Sequence, residues 1–198
     1  AESDLEMSVL ADYIYLNRSE RESMSQQEHA FLVEQVQRSV RDMVQYSCAS
    51  LRLDLKFRHP IKELLWVVRG NSYTRAWDHR YFANSNFRHL PIKTARIVMN
   101  GQTRVQKLPG EYFACLQPFR YHTRVPTLRP VFVYSFALKP EEHQPSGTCN
   151  FSRIDSATMH IDFAAAGNAG QPDRTASSSE ACKLKIYAFG YNVLRIMS

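Results

Sequence analysis

Seven histidines, four cysteines and a short acidic run are the residues of this 198-residue chain with the clearest capacity for chemistry. A metal held on a β-strand needs two histidines spaced H-x-H, with a carboxylate and a third histidine nearby. The histidines stand at positions 29, 59, 79, 89, 122, 143 and 160, and no two are that close. His160 falls on the polar side of an alternating segment, where an exposed side chain is expected. Cys48, Cys115, Cys149 and Cys182 form no C-x-x-C pair and have no histidine at zinc-finger spacing. Free thiols in a reducing compartment are their expected state, which points to assembly in cytosol. Cys115 and His122 are close enough to suggest a thiol nucleophile, but Cys115 lies in an apolar run, where burial makes a thiol inert. No G-x-S-x-G is present, Pro145-Ser146-Gly147 reads as a turn, and there is no phosphate-cradling glycine loop. Glu141-Glu142-His143 could form an acid/base cluster, yet charges beside prolines usually solvate a loop. The expectation is a chain with no catalytic, cofactor-binding or metal-ligating residues, and not an enzyme.

Charge is the second signal. The net charge is +6, and it is concentrated in two stretches. Segment 69–93 holds Arg69, Arg75, Arg80, Arg88 and Lys93 against Asp78; segment 117–130 holds Arg120, Arg124 and Arg129 with no acid. Such patches bind nucleic acid, anionic glycans or an acidic neighbour. The first also carries Tyr73, Trp77, Tyr81, Phe82 and Phe87, the stacking-plus-charge composition of single-strand binders. A loop of this length equally needs its own aromatic core, and exposed aromatics equally mark a protein interface. Interface or self-packing is the preferred reading, and no specific nucleic acid is expected. Asn17-Arg18-Ser19 and Asn150-Phe151-Ser152 have the form of glycosylation sequons and carry little weight in a cytosolic protein.

The elements that must position these residues read as strands. Leu51–Phe57 and Ala157–Phe163 alternate apolar and polar without a fault, and Cys182–Ile186 begins the same pattern. Met7–Leu16, Phe31–Gln37, Ile61–Val68, Thr94–Met99, Tyr112–Leu116 and Val131–Leu138 are less regular but rich in β-branched and aromatic residues. Leu64-Leu65-Trp66-Val67-Val68 has no polar face, so it should be covered on both sides. His59-Pro60 favours a corner, and Gly190 a bulge or bend. Ser19 and Glu22 have the capping-box form, which predicts one helix over residues 19–30 with Met24 inward. Ala164–Ala181 is rich in Ala, Gly and Ser and reads as a loop.

Many short strands with almost no helix predict an all-β, eight- to nine-stranded antiparallel jelly-roll sandwich, with one short helix near residues 19–30. Residues 1–198 read as a single domain. An immunoglobulin-like sandwich would show a Cys…Trp…Cys spacing that is missing. In a jelly roll the connections 17–30, 69–93, 117–130 and 164–181 would share one end, and 38–50, 100–110 and 139–156 the other. No apolar stretch approaches the ~18 residues needed to span a bilayer, so no membrane insertion is expected. The acids Glu2, Asp4 and Glu6 argue against a signal peptide at this end, and the absence of an initial Met is consistent with a fragment.

Several segments resemble the major capsid proteins of nucleocytoplasmic large DNA viruses. Leu10-Ala11-Asp12-Tyr13-Ile14-Tyr15-Leu16 with Glu20-Arg21, and His59-Pro60-Ile61-Lys62-Glu63-Leu64-Leu65-Trp66-Val67-Val68, are similar to two of that family's motifs. So are Tyr112-Phe113 through Thr123, Tyr134–Pro140, Gln144–Asp155 and the final Tyr191–Ser198. The resemblance implies a shell protein with two consecutive jelly rolls, of which this chain is the second, C-terminal one. It further implies homotrimers with pseudo-hexameric outlines that tile an icosahedral capsid, minor capsid partners, a place in the virion and assembly in host cytoplasm. Segments 69–93 and 117–130 would then be outer loops, available for contact between subunits or for host-surface glycans. A carbohydrate-binding jelly roll and, less favoured, a cupin-like enzyme are the alternatives; neither accounts for Gln144–Asp155.

Overall fold

The computed structural model describes residues 8–43, 50–70, 90, 92–126, 131–163 and 182–196. Their strands are β1 (His29–Met43), β2 (Ser50–Asp54), β3 (Pro60–Gly70), β4 (Ile92–Met99), β5 (Gln102–Pro109), β6 (Phe132–Ser135), β7 (Cys149–Asn150), β8 (Ala157–Phe163) and β9 (Cys182–Ile196). Residues Val33–Asn192 form one compact unit, and the flanking stretches 8–32 and 193–196 belong to another. One sheet has the order β1-β9-β3-β6, with β7 paired to the start of β3; the other has the order β2-β8-β4-β5. Setting aside the two-residue β7, eight strands divide four and four between two sheets, and every connection but the β4–β5 hairpin crosses from one sheet to the other. That is the jelly-roll topology.

Period two explains the layers. Leu53, Met159, Ile161, Ala95 and Ile97 are buried from the second sheet, and Leu64, Trp66, Val68, Leu184, Ile186 and Ala188 from the first. Trp66 anchors the core, its ring stacked 6.1 Å from Phe132 and tilted 5.3 Å from Phe113. Each large apolar side chain buried in this way contributes about 1.5–3 kcal/mol. The unbroken apolar run in β3 is covered almost throughout: Leu64, Trp66, Val67 and Val68 are buried and Leu65 is half-buried. His59 takes a positive φ of 68°, which turns the chain between β2 and β3 from one sheet into the other. Gly190 faces a β-bulge at Lys62, where the β3–β9 register shifts between Ile61 and Glu63.

The number of strands agrees with expectation, but two of the assignments do not. Tyr112–Leu116 is a π-helical turn that runs into α2 (Gln117–Tyr121). A short run of apolar residues carries no period, so it fits a buried helical turn as well as a strand, and Pro118 suits a helix start. The missing strand is β5, within what reads from sequence as the connection 100–110. Asn100 (φ 47°) and Gly101 (φ 76°) join β4 to β5, both in the left-handed region that a two-residue hairpin favours. Ser8–Leu16 forms no strand, and Val9, Leu10, Tyr13, Ile14 and Tyr15 are 80–97% exposed; Met7 lies outside the described residues. A strand needs a partner ladder for its backbone groups, and Ser8–Leu16 pairs with none among the described residues.

The first helix differs as well. α1 spans Arg18–Ser25, and its cap is Asn17, not Ser19: Asn17 Oδ1 accepts the Glu20 N–H at 2.9 Å, and Glu20 accepts the Asn17 N–H at 3.1 Å. The residue two places earlier thus closes the same box, while Ser19 Oγ donates to Asn17 Oδ1. The helix stops five residues short of Ala30, and Met24 is exposed rather than inward. The connection 38–50 also changes ends. Ser50 pairs with Asp162 and Ile92 with Phe163, so β2 begins where β8 finishes and 164–181 departs.

Candidate functional site

The residues with chemical potential are dispersed by the fold. Cys115 sits on the π-helical turn, not on a strand; burial first, then the Glu111 charge, pushes its thiol up, away from the thiolate form. His122, just past α2, turns its Nε2 to Glu63 Oε2 at 2.8 Å. Glu141 accepts the Thr123 N–H at 3.0 Å, and that backbone bond holds its carboxyl below the usual range. Glu142 pairs with Lys139, and His143 lies 3.9 Å from Glu34, so the three do not act as one acid/base cluster. Among the described residues, no group of three or more His, Cys, Asp or Glu side chains comes together with metal-binding geometry. Asn17 and Asn150 both use their side-chain oxygens to cap local backbone N–H groups. Arg75, Arg80 and Arg88 lie outside the described residues.

Two partly buried polar pairs tie other elements to β3. At the bulge opposite Gly190, Lys62 is only 4% exposed, and its Nζ lies 2.7 Å from Glu34 Oε1 on β1 and over the Tyr191 ring. Glu63, the next residue, is 9% exposed and bonds His122. Gln117 at the head of α2 accepts the Ser135 N–H of edge strand β6 at 3.2 Å. The stretch 117–126 is therefore not wholly a projecting loop. It begins as a helix laid against an edge strand, with the edge donor satisfied by a side chain. The sequence signal for these pairs was present: two adjacent charges interrupt a run that is otherwise wholly apolar.

The outer surface of the second sheet carries a basic row. Register places Arg52 (β2), His160 (β8) and Arg96 (β4) side by side across three strands. Burial first, then Arg96 and Arg52, lowers the His160 pKa. In the next row Asp162 accepts from Lys107 at 2.6 Å and from Thr94 Oγ1 at 2.7 Å, and these bonds hold its carboxyl below the usual range. Among the described residues nothing pairs with Arg52 or Arg96. At the end of this sheet a groove of about 630 Å³ is lined by Pro109, Glu111, Tyr112, Cys115, Leu116, Phe119 and Val125. Phe119 stands 74% exposed beside it. Sequence reasoning placed the basic surface in loops and missed the row, because only pairing register brings residues 52, 96 and 160 together.

Comparison with known proteins places this geometry. The family described as large eukaryotic DNA virus major capsid protein matches residues 20–198. The major capsid protein of Pyramimonas orientalis virus is 34% identical over 96% of this chain and 46% of the relative. That of Paramecium bursaria Chlorella virus 1 is 35% identical over 97% of this chain and 52% of the relative. A quasi-atomic structure of the PBCV-1 virus capsid superimposes with a TM-score of 0.70 at 32% identity, covering 94% of this chain and 54% of that one. The Faustovirus major capsid protein shares the fold at 14% identity, with a TM-score of 0.64. The chain thus spans about half the length of the relatives it matches. With both sheets in jelly-roll order and the match running through nearly every element, the chain belongs to the major capsid protein family of large eukaryotic DNA viruses.

Proposed function

We propose that this chain is shell material: a jelly roll of a major capsid protein that associates with itself into trimeric, pseudo-hexameric capsomers of an icosahedral virion, and that it is not an enzyme. The observation carrying this is the complete two-sheet roll, matched over 94% of its length at 32% identity to a capsid structure. A tile works by presenting rigid faces, and the design fits. Backbone ladders run through both sheets, Lys62–Glu34 and Glu63–His122 tie β1 and α2 to β3, and Gln117 caps the edge strand β6.

Because the relatives are about twice as long and the chain supplies all eight strands of one roll, we read it as one of two jelly rolls, and the motif resemblance makes it the second. Minor capsid proteins as further partners, assembly in host cytoplasm, and glycan contact through 69–93 and 117–130 follow from the same reading. The test is the solution mass and particle outline of the full-length protein that carries both rolls. A trimer with a hexagonal outline is expected. A strictly monomeric protein at high concentration overturns the assignment.

A further inference from the structure

We infer that the row Arg52–His160–Arg96 on the outer surface of the second sheet is an oxyanion site, which holds a sulfate or phosphate group between the two guanidinium groups and over the imidazole. The site lies on strands, not in the basic loops, and it does not depend on the capsid reading.

The four strands of this sheet carry Arg52, Lys93, Arg96, Arg104 and Lys107 against Asp54 and Asp162, a net charge of +3 with His160 neutral. Three of the five cations act elsewhere: Lys107 and Lys93 on Asp162, and Arg104 on Tyr134 and Cys149. Arg52 and Arg96 remain, each opposite His160 by register, with no acid on either guanidinium among the described residues. Neighbouring strands are ~4.8 Å apart, so the two arginine Cα atoms stand about 10 Å from each other. Two long side chains span that gap, and both forks can close on one anion above the half-buried imidazole. Like charges in register oppose folding, and a local rule broken in this way marks a place where a ligand restores the balance.

The donors define the ligand. Guanidinium forks match the oxygens of sulfate and phosphate with parallel N–H bonds. The rows on either side hold Ser50, Asp162 and Thr94, and Asp54, Thr158 and Val98. None of these positions offers an aromatic ring on which a nucleobase could stack, which favours a compact oxyanion over a single strand. A free sulfate or phosphate ion and a sulfate ester of a glycan share this chemistry. An anion here also favours protonation of His160, which burial, Arg96 and Arg52 oppose and Asp162 assists. Asp54, Lys93, Arg104 and Lys107 are the other charges of the adjoining strands. Binding therefore tightens as pH falls.

The test is isothermal titration of the full-length protein, carrying both rolls, with sodium sulfate at constant ionic strength. Sulfate keeps its charge between about pH 5 and 8, where histidine titrates. Saturable binding is expected, weakened about tenfold by Arg52→Ala or Arg96→Ala and lost in the double variant. Each substitution removes a like charge, so thermal melting should show these proteins no less stable than the unaltered one. Affinity should rise about threefold or more from about pH 8 to about pH 5, and His160→Gln should abolish that rise while keeping the binding at the higher pH. A heparin disaccharide that binds more tightly than sulfate through the same arginines identifies a glycan ester as the source; equal affinity identifies the free ion. If the full-length protein shows no saturable sulfate binding, or the double variant binds as the unaltered protein does, the site is wrong while the capsid reading stands. A single-stranded oligonucleotide that outcompetes the disaccharide overturns the ligand assignment.

Discussion

Replacing Gly190 with alanine tests the bulge on which the Lys62 pair depends. A Cβ at Gly190 would run into the Pro60 carbonyl oxygen and lie 3.2 Å from Ile61 Cα, both backbone atoms of the paired strand. Neither can swing aside like a side-chain end, so β3 or β9 has to move. Forcing a methyl into a closed site costs about 1–3 kcal/mol, and here the larger end applies because the obstacle is main chain. For a chain of this size each kcal/mol lowers Tm by roughly 2–4 °C, which gives a fall of about 5–10 °C. Gly101→Ala is the control. Nothing lies within 4 Å of a Cβ there, and only the φ of +76° opposes it. That strain amounts to about 1–2 kcal/mol, a fall of roughly 2–8 °C. The assay is thermal melting by circular dichroism, with urea unfolding to confirm the order. A Gly190→Ala protein that melts with the wild type, or above Gly101→Ala, refutes the close-approach argument.

Glu34→Gln leaves the buried Lys62 ammonium without its carboxylate, and should cost about 1–3 kcal/mol in urea unfolding, moderated because Glu34 itself is partly exposed. A double Glu34→Gln, Lys62→Met variant should recover part of that loss. The His160 imidazole, held down by burial and then by Arg96 and Arg52, should titrate by NMR below the ordinary value of ~6.5. Arg96→Ala should raise it more than Arg52→Ala. Because folding opposes protonation of His160, its contribution is intact above the unfolded pKa and is lost as pH falls through that value towards the folded one. Burial raises the Cys115 and Cys149 thiols, so peptide mapping after alkylation at pH 8 should show both reacting more slowly than a free thiol; rapid labelling of either would contradict their burial.

The strict alternation of Leu51–Phe57 and Ala157–Phe163 was enough to identify half-buried strands, and the apolar run of β3 was enough to require cover on both faces. Side-chain period and burial are local properties, written directly into residue order. The Asn100-Gly101 turn falls within what reads from sequence as the connection 100–110, and the strand after it escapes notice because Gln102–Pro109 is mostly polar and alternates poorly. Tyr112–Leu116 shows the converse, since an apolar run without period suits either a strand or a helical turn. Two of the family motifs, His59–Val68 and Tyr112–Thr123, lie in these segments.

Residue order alone therefore determined an all-β roll, its principal strands and its family. Which charges face one another was decided only when the sheets closed. Arg52, Arg96 and His160 become neighbours through ladder register, and Lys62 meets Glu34 where a register shift leaves one extra residue in β3 beside Gly190. Register is a property of pairs of strands far apart in the chain, and no local pattern encodes it.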